Sequence, residues 1–330
     1  MKKVLVIILA TIFMTVSAAA QTSDEVATNA TQQAGDQTPA DRTLRTEDRL
    51  RRRWWVSMSL ASVFDTNITH DERQVGSFGL VPSFGFHFRD NAERPSFEAD
   101  YEVALHRYTN TDEFDRLSHN LTAVYRRQVA KRFYSKTTTE MSLKGSSEDR
   151  DINNNYILEQ QLQYRLPFNT RVAGFAAYRL KRYPLVEQDS NAIDSYVGAK
   201  VEQRLSGERR VELTYRYDHN RAWDPRNNYI RRTYTLEFET PLSLRRRDSL
   251  GAEFRYSPRD YQNRTTRVNG VRVPRHDDRW VFDVTYTRLL HPDLSMVVFY
   301  QYEKRNSNDI DKRFTSNVFG LTFTFDKWDW

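Results

Sequence analysis

The chain has 330 residues, 28% of them charged, a formal net charge of +6, a mean hydropathy of −0.77 and no cysteine. The missing cysteines exclude disulfides, thiolate metal sites and thiol catalysis. Beyond the first twenty residues no apolar run reaches the ~20 residues of a membrane-spanning helix. Yet there are 6 Trp, 18 Tyr and 19 Phe, an aromatic surface that water alone does not tolerate when it is continuous.

Lys2 and Lys3 precede an apolar run from Val4 to Val16 and the small residues Ser17, Ala18, Ala19 and Ala20. This is the layout of a cleaved secretory signal peptide over residues 1–20, and the run is short for a membrane anchor. Gln21 rather than cysteine follows, which argues against acylation as a lipoprotein. Residues 21–53 are polar and lack aromatics, so they bury too little apolar area to offset ordering entropy and are expected to form a disordered periplasmic leader. On an exported chain Arg51–Arg53 is a solvated or headgroup-facing run, and no nucleic-acid partner is expected.

From Trp54 to Trp330 short segments alternate apolar and polar residues, the pattern of strands with one dry and one wet face. They pair as Trp54 to Asp65 with Ser77 to Arg89, Ser96 to Tyr108 with Arg116 to Gln128, and Phe133 to Lys144 with Asn155 to Leu166. Arg171 to Tyr183 with Ile193 to Leu205, Arg210 to Ala222 with Tyr229 to Leu242, and Ser249 to Asp260 with Arg279 to Leu290 follow. Leu294 to Lys304 and Phe314 to Phe325 close the series. The expected fold is therefore all-β: a transmembrane, up-and-down antiparallel barrel of about 14 strands, 12 or 16 being the neighbouring counts. Short connections such as "VAKR" and "HPD" alternate with longer polar ones, including an 18-residue loop from Tyr261 to Asp278. That alternation, which a soluble β-sandwich would not show, puts both termini in the periplasm and the chain in the outer membrane of a diderm bacterium.

Alternation also sorts charges. With Phe97, Ala99, Tyr101, Val103 and Leu105 facing lipid, Glu98, Asp100, Glu102 and His106 face the lumen. The same rule sends Lys136, Glu140 and Lys144 inward, then Glu159 and Arg165, Glu212 and Arg216, Glu237, and finally Glu253 and Arg255. These are the candidate selectivity residues of a charged pore, and Phe175 and Phe299 are the rings expected inside. Strong catalytic or cofactor motifs (HExxH, GxSxG, a Gly-rich phosphate loop) do not occur, so neither an enzyme nor a cofactor is expected. A rim hydrolase built on His106 or His219 is the weaker alternative, because Asp218 and His219 must point to opposite faces.

In the last strand Phe319, Leu321, Phe323 and Phe325 share one face. Gly320, Leu321, Phe323 and Phe325 resemble the carboxy-terminal signal that barrel-insertion machinery recognises, although "DKWDW" follows where such strands usually stop. Trp328 and Trp330 are expected as interfacial anchors. "SVFDTNI", with Asp65 and Asn67, resembles the opening of porin-like outer-membrane barrels that accompany exopolysaccharide export. "YEKRNSND", Asn317 and "GLTFTF" are similar to their last hairpin and to the barrel domain of surface-lipoprotein assembly modifiers, whose helical-repeat domain has no counterpart here. The resemblance implies a channel or export conduit for polar solutes, oligo- or polysaccharide among them, with periplasmic export components as partners beside outer-membrane lipid and lipopolysaccharide. A non-conducting barrel serving assembly or partner binding is the alternative from another class.

Overall fold

The structure, a computed structural model, describes residues 54–70, 74–90, 96–110, 114–146, 154–183, 191–242 and 247–328. The signal peptide and the leader expected over 1–53, and Trp330, lie outside these. Fourteen antiparallel strands follow in chain order: β1 (Trp54–Asp65), β2 (Ser77–Arg89), β3 (Ser96–Tyr108), β4 (Arg116–Ala130), β5 (Phe133–Ser146), β6 (Asn154–Arg165) and β7 (Thr170–Arg182). Then come β8 (Ala192–Arg204), β9 (Arg210–Ala222), β10 (Tyr229–Pro241), β11 (Asp248–Val268), β12 (Val271–His291), β13 (Leu294–Ser307) and β14 (Phe314–Trp328). Each pairs with its chain neighbours and β14 returns to β1, so the sheet is a closed up-and-down barrel.

The seam is long, running from Trp55 opposite Trp328 to Asp65 opposite Val318. Trp328 is thus the last residue of the closing strand. Just beyond Asp65 the seam is clasped. The Asp65 carboxylate accepts from the Asn67 amide N–H (2.8 Å) and from the Ser316 hydroxyl (2.6 Å). The Asn67 side-chain amide donates to the Thr315 carbonyl at 3.2 Å, and Asn317 N–H donates to the Thr66 hydroxyl at 2.9 Å. Asn67 is fully buried. The Asp-x-Asn pattern is an Asx turn that ties the first strand to the last.

The barrel has no large apolar core. Its buried apolar clusters are small, Val63–Phe299–Val318 and Ala61–Val81–Ala104, and the large apolar side chains point outward instead. Met58, Leu60, Phe64, Phe78, Leu80, Phe84 and Phe86 are all exposed on the first hairpin alone, a face that only lipid can cover. An outward run of rings crosses four strands, with centroids 5.2 Å apart for Tyr215–Tyr234, 6.2 Å for Tyr234–Tyr256 and 4.1 Å for Tyr256–Trp280. Such a girdle marks a membrane interface.

One expected element differs. The long loop from Tyr261 to Asp278 is instead strand: β11 and β12 pair as far as Val268 opposite Val271, with one irregularity between Asp260 and Thr265. The turn is Asn269–Gly270, both with positive φ (51° and 79°). That is the Asn-Gly geometry of a two-residue hairpin, whose twist matches the strands it joins. The polarity of "NRTTRVNGVRVPRHDD" suggests a loop, but Val268, Val271 and Val273 alternate around an Asn-Gly pair, and the turn chemistry prevails.

Two glycines make room for the inward rings. A Cβ on Gly198 would collide with the Phe175 ring and with the Tyr215 carbonyl, and one on Gly320 would collide with the Phe299 ring. Each phenyl lies over a glycine in the neighbouring strand, as when aromatics cover glycines in designed sheets. Gly198→Val is expected to lower the urea midpoint of the folded protein by the equivalent of about 1–3 kcal/mol of overpacking. Gly174→Val, where a Cβ meets only the Gly198 carbonyl at 4.0 Å, should leave it unchanged. Unfolding followed by tryptophan fluorescence in lipid vesicles reads both.

Candidate functional site in the lumen

Closure forces every second side chain inward. All fourteen lumen candidates occupy the inward alternation, because each is in register with other inward positions: Glu98, Asp100, Glu102 and His106 on β3; Lys136, Glu140 and Lys144 on β5; Glu159 and Arg165 on β6. Glu212 and Arg216 on β9, Glu237 on β10, and Glu253 and Arg255 on β11 complete the set. Leu321, Phe323 and Phe325 face outward, whereas Gly320 faces in.

The inward charges fall into two tiers. The tier nearer the termini is acidic and partly wet. Adjacent strands place Glu202 opposite Glu212, Glu212 opposite Glu237, Glu237 opposite Glu253, and Glu253 opposite Asp283. Like charges directly opposite destabilise a sheet, so cations are interleaved. Arg171 lies 3.3 Å from Glu202, Lys200 3.1 Å from Glu212, and Arg210 3.3 Å from both Glu237 and Glu239. Arg255 pairs with Glu253, and Gln301 donates to Asp283 at 2.7 Å. Across the lumen Glu98 holds Arg89 (3.2 Å) and Arg126 (2.5 Å), while Tyr196 donates to Glu159 at 3.1 Å. Arg165 stacks over Tyr134 at 4.4 Å, and Glu140 is exposed.

The tier nearer the opposite mouth is basic and dry. Asp194 and Asp218 are fully buried. Lys181 lies 3.2 Å and Arg179 3.7 Å from Asp194; Arg216 (3.0 Å) and Arg231 (3.3 Å) bracket Asp218. Two forks are bidentate: Arg279 on Glu303 (2.6 and 2.7 Å) and Arg275 on Asp277 (2.9 and 2.7 Å). Arg259 stacks over Tyr229 (4.5 Å) and Arg275 over Tyr261 (4.6 Å). A desolvated charge is costly unless paired and hydrogen-bonded, which is why guanidinium forks and rings gather here.

Several members of this tier escape a reading of the sequence for clusters: Lys181, Asp194, Arg231, Arg279 and Glu303. The signal that finds them is the same alternation, since Glu303 and Arg305 in "YQYEKRNS" fall on the inward phase. Inward rings are likewise more numerous than Phe175 and Phe299, and include Trp55, Tyr196, Tyr229, Tyr261 and Phe314.

The histidines separate. His219 is opposite Ile230 on the outward phase while Asp218 is buried in the lumen. His106 faces in, its Nε2 3.1 Å from the Ser118 hydroxyl. Ser57, His87 and Asp100 on β1, β2 and β3 have a nucleophile–base–orienter connectivity: Ser57 Oγ to His87 Nε2 2.9 Å, His87 Nδ1 to Asp100 2.7 Å. The exposures run against such chemistry, with the Ser57 residue 9% exposed and the Asp100 side chain 46%. A nucleophile must be reachable and its orienter shielded; this line straps three strands together, with Trp55 stacked on His87 at 4.8 Å.

No known protein family matches the chain, and no curated protein matches it. Solved structures of outer-membrane barrels do. A loop-deletion form of OmpT, an outer membrane protein of Vibrio cholerae, is 9% identical with a TM-score of 0.47, over 83% of this chain and 99% of that one. OprD of Pseudomonas aeruginosa is 8% identical at 0.46, over 83% and 95%. The translocator domain of the autotransporter NalP of Neisseria meningitidis is 12% identical at 0.39, over 89% and 97%. The likeness is one of architecture alone, a closed all-β barrel.

Because Arg279 is buried against Glu303, Glu303→Leu should cost about 3–5 kcal/mol, the penalty of a stranded buried charge, and adding Arg279→Met should recover most of it. Urea titration of the two variants in vesicles measures both steps.

Proposed function

We propose that the chain is a passive channel for small polar solutes in the outer membrane of a diderm bacterium, with the two-tier lumen as its path. The observation that carries this reading is the charged inward face. Fourteen strands about 4.8 Å apart and tilted about 40° close on a cylinder roughly 28 Å across, between barrels that side chains fill and porins that stay open. Inside it, an acidic, partly exposed tier leads to a compact basic one. Rings of fixed charge over a constriction select solutes by sign and size.

The solute class favoured is charged rather than a neutral glycan. A path for oligo- or polysaccharide, which the resemblance at the chain ends implies, would be helped by broad rings exposed to the lumen, but the inward rings Trp55, Tyr196, Tyr229, Phe299 and Phe314 are all buried. Asp65, Asn67 and Asn317, which carry that resemblance, serve the seam and not the lumen. Near-complete burial of the basic tier favours the other reading, a barrel that does not conduct.

Single-channel recording from residues 21–330 refolded into planar bilayers decides between them. Discrete current steps are expected, and Glu237→Gln with Glu253→Gln should lower the cation-to-anion permeability ratio several-fold, since two carboxylates of the acidic row are lost. Silence from protein shown to be folded would overturn the channel reading in favour of a non-conducting barrel.

A further inference from the structure

Lys144 and Lys181 are both buried lysines of the lumen wall, 8% and 2% exposed. Lys181 is satisfied: its ammonium donates to Tyr229 at 2.9 Å and Asn220 at 3.4 Å and lies 3.2 Å from Asp194. The Lys144 ammonium has no hydrogen-bond partner among the described residues, nor has Nδ1 of His106. Register brings the two together with the Arg116 guanidinium. His106 is opposite Arg116 on the neighbouring strand, and Lys144 is opposite Ser118 on the next, so all three share one inward patch of β3, β4 and β5.

The inward residues flanking them are Ala104, Tyr108, Ser118 and Ser142, none an acid. Asp115, just before Arg116, is taken by Arg107 (2.6 Å) and by the Tyr108 N–H (2.8 Å). Ser142 donates to Asn120 at 2.8 Å, and the Ser118 hydroxyl meets His106 at 3.1 Å and the Ala104 carbonyl at 3.4 Å. Among the described residues, carboxylates are thus present for Lys181 but not for Lys144. A buried ammonium with its donors unspent is an expensive group, and a neighbouring guanidinium adds to the cost rather than relieving it. An anion that enters the patch relieves both.

We propose that His106, Arg116 and Lys144 form a binding site for an oxyanion, the carboxylate, sulfate or phosphate group of a solute in the lumen. Lys144 is the central donor, with the Arg116 guanidinium beside it and the Ser118 and Ser142 hydroxyls at the edge. The site deepens the channel reading by assigning the chemical group that the basic tier takes, and it rests on that reading only in needing a lumen that solutes enter.

The test uses inorganic phosphate as the probe and the folded chain, residues 21–330, in detergent micelles. Isothermal titration at constant ionic strength, with chloride as the replaced anion, is expected to show saturable binding. Lys144→Met should weaken it at least about ten-fold, the worth of one charge-assisted hydrogen bond. Lys200→Met, which removes the partner of Glu212 in the other tier, should leave it unchanged. In phosphate-free buffer Lys144→Met should unfold at the same or a higher urea concentration than wild type, because an unsatisfied buried charge is replaced by an apolar chain of similar length. If that variant does not fold, the wild type alone decides: phosphate must raise its urea midpoint above that in chloride. Absent saturable heat from folded wild type, or a Lys144→Met variant that binds equally well, would overturn the site. Binding without conductance would leave the site standing and remove the channel, and conductance without binding would do the reverse.

Discussion

Everything in this protein depends on the closed ladder of backbone hydrogen bonds. Hydrocarbon offers no partner to an N–H or a C=O, so a sheet can cross it only without an edge. Thirteen of the fourteen strand pairings join neighbours in the chain; the fourteenth joins its two ends. That seam spans the greatest sequence separation in the molecule, and its loop entropy is not offset by any short hairpin. Side-chain hydrogen bonds gather where that seam ends. Asp65, Thr66 and Asn67 engage Thr315, Ser316 and Asn317, satisfying polar groups where the regular ladder stops.

Once the wall is closed, alternation leaves no choice about where charges go. A residue every second position faces lipid, which rejects ions, and the rest face the lumen. The two tiers then differ in water content, and their pairing differs with it. Near the termini carboxylates stand opposite one another on successive strands, an arrangement tolerable only with cations interleaved. In the basic tier the carboxylates are fewer, and Asp194, Asp218, Asp277 and Glu303 are each buried and gripped by a fork or by two cations. The same residue types therefore serve a solvated, field-generating role at one end and a rigidifying role at the other.

Most of this was legible in the sequence because a period of two leaves little room for error. A strand's phase, once set by Phe97 or Phe323, assigns every other side chain on it, and the inward placement of Glu98 through Arg255 follows. What could not be read is pairing between strands. Nothing local says that Arg279 forks onto Glu303 or that Glu212, Glu237 and Glu253 share one row, since those facts belong to register, which closure sets globally. The outer half of the β11–β12 hairpin reads as a loop for a different reason: polar and charged residues outnumber apolar ones there, while Val268, Val271 and Val273 alternating around Asn269–Gly270 carry the decisive information.

The final strand shows how an apparent signal can be composed of physical necessities. Leu321, Phe323 and Phe325 are what any lipid-facing strand requires. Gly320 is there because Phe299 occupies the space that a Cβ would take, and any larger residue would drive that ring into the lumen. Val318, two residues earlier, packs on Val63 across the seam and on Phe299 of the preceding strand. Gly320 therefore lies between a fixed ring and the strand that closes the barrel. A glycine followed by alternating apolar residues at this place is demanded by packing at the seam, whatever else reads it.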